Sequence, residues 1–265
     1  FGELGLPKWG VAGAGLATTI AQWSNAIVLL AIFQHRSVAK RCNTHPIAMN
    51  GNQIRRFLWT GAPIGGQWFI AMLSFSAFTT LVARMGDESM AASQAFVMLL
   101  SLSFMQAVGI SIAGAILVGR YIGAGDPSAA IRTFRSSILL GITLAAGIAI
   151  AFIAIPIPLL RIFTDDPEVL ALGRPLLLLG ALFQLLDAVA IIAEGALRGA
   201  GDTRWPFAVE TALGWGLLVP LAYFVGVSLE GGLTGAWLAA LVHITVLATT
   251  LVVRFRSNAW QRIRI

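Results

Sequence analysis

Seven apolar segments recur along this chain, and each is long enough to cross a bilayer as a helix, which takes about 20 residues. They run over Gly10–Phe33, Phe57–Ala83, Ser89–Gly119, Ser136–Ile155, Val169–Leu197, Pro206–Val227 and Leu233–Val253. In hydrocarbon every backbone N–H and C=O must be paired within the protein, so such segments are expected to be helical. Composition agrees: 57% of residues are hydrophobic and 11% charged, against about 25% charged in a soluble domain. A soluble globular domain and a disordered chain are both excluded. The expected fold class is an all-α polytopic membrane protein with seven transmembrane helices.

The net charge of +6 does not indicate a nucleic-acid partner. The 18 Lys and Arg residues sit in short pieces between the apolar runs, which is how topology signals are distributed. Arg36, Lys40, Arg41, Arg55 and Arg56 fall on one side, with Arg120, Arg132, Arg135, Arg198, Arg204, Arg254, Arg256, Arg262 and Arg264. Only Lys8, Arg84, Arg161 and Arg174 fall on the other. The positive-inside rule assigns the first set, and with it the C-terminus, to the cytoplasm of an inner-membrane protein. Trp9, Trp59 and Trp205 stand at span ends, where indole favours the interface. Cys42 is the single cysteine, so no intrachain disulfide and no cysteine metal site is expected.

The first and last spans repeat one another. Gly10-Val11-Ala12-Gly13-Ala14-Gly15-Leu16-Ala17 aligns with Gly232-Leu233-Thr234-Gly235-Ala236-Trp237-Leu238-Ala239, 222 residues on, with five of eight positions identical. Both copies open a span from the same side, so the repeat keeps its orientation and measures six helices. Parallel six-helix repeats are a transporter architecture. The expected organisation is 1–34 as the last helix of a preceding lobe, 35–56 as a cytoplasmic inter-lobe loop, 57–256 as a six-helix lobe and 257–265 as a cytoplasmic tail. The chain opens on Phe1 and is expected to be part of a longer protein whose N-terminal lobe precedes it.

Motifs in order along the chain sharpen this. Leu6-Pro7, Gly13-Ala14 and Ala17-Thr18 are followed by Gly61-Ala62-Pro63-Ile64, then Ala91-Ala92 and Gln94, Phe104-Met105 and Gly109. Val118-Gly119-Arg120 leads into Gly123-Ala124-Gly125-Asp126, and Asp187 precedes Leu197-Arg198-Gly199-Ala200-Gly201-Asp202-Thr203-Arg204. With Gly235-Ala236-Trp237 these make the chain resemble the multidrug and toxic compound extrusion (MATE) antiporters from about Gly5 to Ala239. The resemblance implies the sixth helix and the C-terminal lobe of a twelve-helix, pseudo-symmetric 6+6 exporter. It implies H+ or Na+ as coupling ion, no other cofactor, and amphipathic cationic small molecules as substrates. In sodium-coupled members an acid at the position of Asp187 acts with a Glu and a Tyr; here those positions hold Ala71 and Phe183, which favours a proton.

Three acids lie within spans, and each needs a reason, because a carboxylate in the membrane costs about 2.5–3.5 kcal/mol on insertion scales. Asp187 falls near the midplane and shares a stripe with Gln184, Ile191 and Glu194. A carboxyl group in low dielectric favours its neutral form and so can carry a proton. Glu194 precedes Arg198 by one turn, the favourable order for a helical ion pair, or it serves as a stop on a proton route. Glu210 either takes a proton, attracts substrate or faces interfacial water. His243, central in the last span, is a proton relay or a packing residue; no second His stands at metal-ligand spacing. Gln94, Met98, Ser101 and Met105 share one face of the third span, and Met is adaptable enough to accept varied ligands. Pro63, beside Gly61, Gly65 and Gly66, marks a hinge, and Gln67 one turn on is placed to meet substrate.

The expected function is secondary-active efflux by two rocking lobes. A lipid-linked oligosaccharide flippase of related architecture is the alternative, but its cavity needs basic groups for pyrophosphate. A retinal protein needs a lysine within a span, and Lys8 and Lys40 lie outside them. A membrane enzyme lacks support: there is no Gly-x-Ser-x-Gly and no paired His.

Overall fold

The computed structural model describes residues 10–35 and 50–262. Lys8, Trp9, Cys42, most of the expected inter-lobe loop and the end of the tail lie outside the described residues. The chain divides into two compact units, 1–54 and 55–265. In the first, α1 (Gly10–Gln34) is a single apolar helix. Its large side chains, Ile20, Trp23 and Ile27 among them, are exposed, as suits a helix bathed in lipid.

The remaining six spans are α2 (Gly51–Ala83), α3 (Asp87–Gly123), α4 (Pro127–Ala154), α6 (Pro167–Gly199), a composite sixth span and α9 (Gly232–Arg256), with a short α5 (Pro156–Leu160) after α4. The composite span joins α7 (Arg204–Leu213), a π-helical turn Gly214–Leu218, α8 (Val219–Ala222) and a second π-helical stretch Tyr223–Ser228. Seven helices among the described residues are long and apolar enough to cross a membrane. The all-α polytopic reading therefore holds. α2 starts at Gly51 rather than Phe57, because Asn50 Oδ1 accepts the Asn52 amide at 3.0 Å and opens the helix inside the expected loop. The 37 residues of α3 span about 55 Å at 1.5 Å each, so it tilts or projects beyond the roughly 30 Å core.

α6 is the axis of the lobe and packs against α3, α4 and α9. Lipid tails supply no hydrophobic drive between helices, so close backbone approach must hold them together. The chain achieves it with small residues. A Cβ on Gly195 would meet the Ser111 carbonyl oxygen at 2.7 Å, and one on Gly199 would meet Ala115 Cα at 2.9 Å. Across the same seam Ser111 Oγ donates to the Ile191 carbonyl at 2.7 Å.

The two Gly-Ala-Gly-Asp turns are built alike. Gly125 and Gly201 have φ of +74° and +82°, a conformation that a Cβ disfavours. After α3 the Asp126 amide reaches back to the Tyr121 carbonyl, and after α6 the Asp202 amide reaches back to that of Leu197, each at 2.9 Å. Both are Schellman closures. The aspartates then diverge. Asp126 caps α4 by accepting from the Ala129 amide at 2.9 Å, with Pro127 in the first turn, as the sequence predicts. Asp202 is buried and accepts from Arg254 Nε at 2.8 Å, while the Arg254 guanidinium lies 4.8 Å from the Trp205 ring centre. This end of the lobe closes with Phe255 between Phe134 and Trp260, whose Nε1 donates to the Phe255 carbonyl at 2.8 Å.

Candidate functional site

A cavity of about 390 Å³ opens between α2, α3, α6, the sixth span and α9. Six aromatic side chains line it, Trp68, Phe75, Phe78, Phe104, Phe183 and Trp237. Trp237 organises one wall. Its ring meets Phe78, Phe96 and Phe183 edge-on, at centroid distances of 5.1, 4.7 and 6.1 Å. Its Nε1 donates to Ser93 Oγ at 3.2 Å, which fixes the indole while its face stays apolar.

Into these walls the chain sets all three intramembrane acids. Asp187, Glu194 and Glu210 line the cavity, together with Gln67 and His243. Asp187 and Glu210 come from different helices, α6 and α7. Neither has an ion-pair partner among the described residues. Glu194 differs: the Arg198 guanidinium one turn later donates to its carboxylate. The charge of Glu194 is thus answered on its own helix, and Arg198, in the last turn of α6, adds no free positive charge to the cavity.

The structure separates the other expected site residues. Gln184 is buried in α6 with both amide atoms unpartnered, and does not line the cavity. Gln94, Met98 and Met105 lie outside it, on an exposed stripe of α3. Helical spacing shows that residues share a face but not which neighbour the face meets. α3 turns its small and buried stripe, Ala92 through Ala107 to Val118, inward, and offers the cavity Phe104, Val108, Ser111 and Ile112 instead. The expected hinge at Pro63 lies within α2, which is helical from Gly51 to Ala83. Departures from α-geometry fall in the sixth span, on either side of Pro220, where the missing amide breaks the regular ladder.

Two features escaped the sequence reading. The aromatic lining comes from four separate helices; only its α2 members, Trp68, Phe75 and Phe78, stand at helical spacing. Ser74, 3% exposed with an unpartnered Oγ, faces the cavity seven residues after Gln67; that two-turn offset was available as a signal.

Comparison with known proteins agrees with this arrangement. The chain is 30% identical over 264 residues to a protein named probable multidrug resistance protein NorM from Thermotoga maritima, covering 99% of this chain and 56% of that protein. It is 32% identical over 253 residues to a protein of the same name from Chromobacterium violaceum, covering 92% of this chain and 54% of that one. It thus spans about half the length of the relatives it matches. Its fold is similar to that of a crystal structure described as the eukaryotic MATE transporter AtDTX14, with a TM-score of 0.82 over 94% of this chain and 56% of that chain, at 20% identity. The family model described as MatE matches residues 63–224, more than half of the chain and all of the cavity but its α9 wall, and the chain therefore belongs to the MatE family.

Proposed function

We propose that the chain forms the C-terminal lobe of a secondary-active multidrug exporter in a bacterial plasma membrane. A preceding N-terminal lobe supplies the other half, and the two rock around a central cavity. One observation carries the reading: Asp187 and Glu210, two carboxyl groups without an ion-pair partner among the described residues, line a single aromatic cavity. Intramembrane acids mark ion paths, and acids set among aromatic faces suit amphipathic cations. Cation uptake, H+ or Na+, at Asp187 competes with substrate for the same negative charge, which is the requirement for antiport. The names of the relatives point the same way. The basic loops and tail face the cytoplasm by the positive-inside rule.

The test is ethidium efflux from proteoliposomes holding the full-length protein, driven by an imposed pH or sodium gradient. Asp187→Asn is expected to reduce gradient-driven efflux to the level of empty liposomes while the protein stays folded. Intact coupling in that variant removes Asp187 from the mechanism.

A further inference from the structure

We propose that this cavity selects cations bearing an N–H at the charged centre, such as protonated amines, over quaternary cations of equal size, and that Gln67 and Ser74 read that hydrogen. The proposal rests on the cavity being the substrate site and deepens that reading.

One face of α2 lines the cavity with Gln67, Ala71, Ser74 and Phe78. Its two polar members are 5% and 3% exposed, and neither Gln67 Oε1 nor Ser74 Oγ has a hydrogen-bond partner among the described residues. A local remedy exists in this helix. Thr79 and Thr80 donate to the carbonyls of Phe75 and Ser76 at 2.9 and 2.8 Å. Ser74 makes no such bond.

Both polar residues are held where they are. A Cβ on Gly66 would lie 3.1 Å from the Phe207 ring, and one on Gly214 would lie 2.7 Å from Ser74 Oγ. The sixth span therefore presses on α2 at both ends of this face, and the π-helical turn that begins at Gly214 sits directly against Ser74. The remaining polar groups of the cavity are also short of donors. Asp187 and Glu210 are acceptors when ionised, and His243 Nε2 is buried and unpartnered. One guanidinium nitrogen of Arg198 is engaged by Glu194, which leaves its Nε as a single free donor, and Ser111 Oγ and Trp237 Nε1 are engaged by Ile191 and Ser93.

Acceptors thus outnumber free donors on four walls, and an entering ligand must bring the hydrogens. A quaternary ammonium answers the carboxylates but leaves Gln67 Oε1 and Ser74 Oγ unpaired and now sealed from water. A protonated amine with two N–H groups answers both. Sites with buried polar groups discriminate strongly against analogues that leave those groups unpaired.

The experiment measures binding of two probes to the full-length protein in nanodiscs at pH 7. One is protonated N-isopropyl-1-naphthylmethylamine, with two N–H groups; the other is its isomer 1-naphthylmethyl-trimethylammonium, of equal charge and nearly equal volume. Wild type is expected to bind the amine at least about tenfold tighter. Gln67→Leu and Ser74→Ala are each expected to cut that ratio by about threefold or more, through the amine alone, and the double variant brings it close to unity. Their thermal midpoints hold or rise, since each removes an unpaired buried polar group. Should Gln67→Leu fail to fold, Ser74→Ala, the smaller change, decides. Equal binding of the two probes by wild type, or an unchanged ratio in the folded variants, overturns the proposal. Asp187→Asn separates the two readings. If it weakens both probes alike while wild type shows no preference, only the selectivity fails. If it leaves both untouched, the substrate site itself fails.

Discussion

Asp187 and Glu194 stand two turns apart on one stripe of α6, yet their surroundings differ. Glu194 is bound by Arg198, and both are about three-quarters buried or more, with side-chain exposures of 17% and 26%. Removing the carboxylate leaves a guanidinium without its partner. Glu194→Gln is therefore expected to lower stability by about 1–2 kcal/mol, read as a lower thermal midpoint in detergent, while the gradient dependence of efflux survives. Asp187→Asn removes no ion pair, so it is expected to spare the midpoint and abolish coupling. A pair of variants with the reverse pattern would exchange the two roles. Asp126 offers a different check at this scale. Hydrogen bonds from Ser128 and from the Ala129 amide hold its carboxyl below the ordinary value of 3.8. A group whose carboxylate is favoured in the folded state contributes stability above its unfolded value and loses it as pH falls through the folded one. The thermal midpoint of wild type should thus drop more steeply than that of Asp126→Asn as pH is lowered from 5 to 3. Asn still caps the helix but has no charge to lose, so equal slopes would show that the cap does not sense pH.

Among the elements, the α3–α6 seam carries the lobe, and it does so with backbone contact rather than large side chains. A methyl group at Gly195 meets both the hydroxyl and the carbonyl of Ser111, and backbone cannot step aside as a flexible side chain can. Gly195→Ala is expected to cost about 1–3 kcal/mol, with Gly147→Ala, where nothing lies within 4 Å, as the neutral control on a neighbouring helix. A neutral Gly195→Ala would mean the seam is looser than drawn. The same comparison explains what was legible in the sequence. The spans, the Asp126 cap and the Glu194–Arg198 pair are local: their evidence lies within one helix or one turn, so periodicity and spacing expose them. The orientation of α3 is not local. Gln94, Met98 and Met105 share a face in any helix, but whether it meets the cavity depends on where α6 lies, and that follows from glycines on the other strand of the seam. The π-helical turns are another case. Pro63 lies in a continuous α-helix, whereas Pro220 stands between two π-helical stretches that contain Gly214, Gly216 and Gly226; proline alone does not foretell them. The aromatic lining was missed for the same reason, since it is assembled from four helices; Ser74 was missed although its two-turn offset from Gln67 is local.

For the molecule as a whole, the decisive fact is that the chain matches about half the length of its relatives. The described lobe has its own core, whose two larger apolar clusters hold Trp237 and Phe255, and its closing contacts, Asp202 with Arg254 and Arg254 with Trp205, are internal to it. Such a lobe is expected to insert and fold by itself. Alternating access, however, needs a second body to move against, and residues 55–265 form one compact unit. Expressed alone, residues 50–265 should give a folded, cooperatively melting membrane protein that binds the naphthylmethyl amine through Asp187 but produces no gradient-driven ethidium efflux. Co-expression with the N-terminal half of the same protein should restore efflux without a covalent link, because rocking requires contact between lobes and not continuity of the chain. Efflux by the lobe alone would refute the rocking mechanism. Failure of a folded pair to transport would instead assign an active role to the inter-lobe segment, and joining the halves again through residues 35–56 would then recover activity.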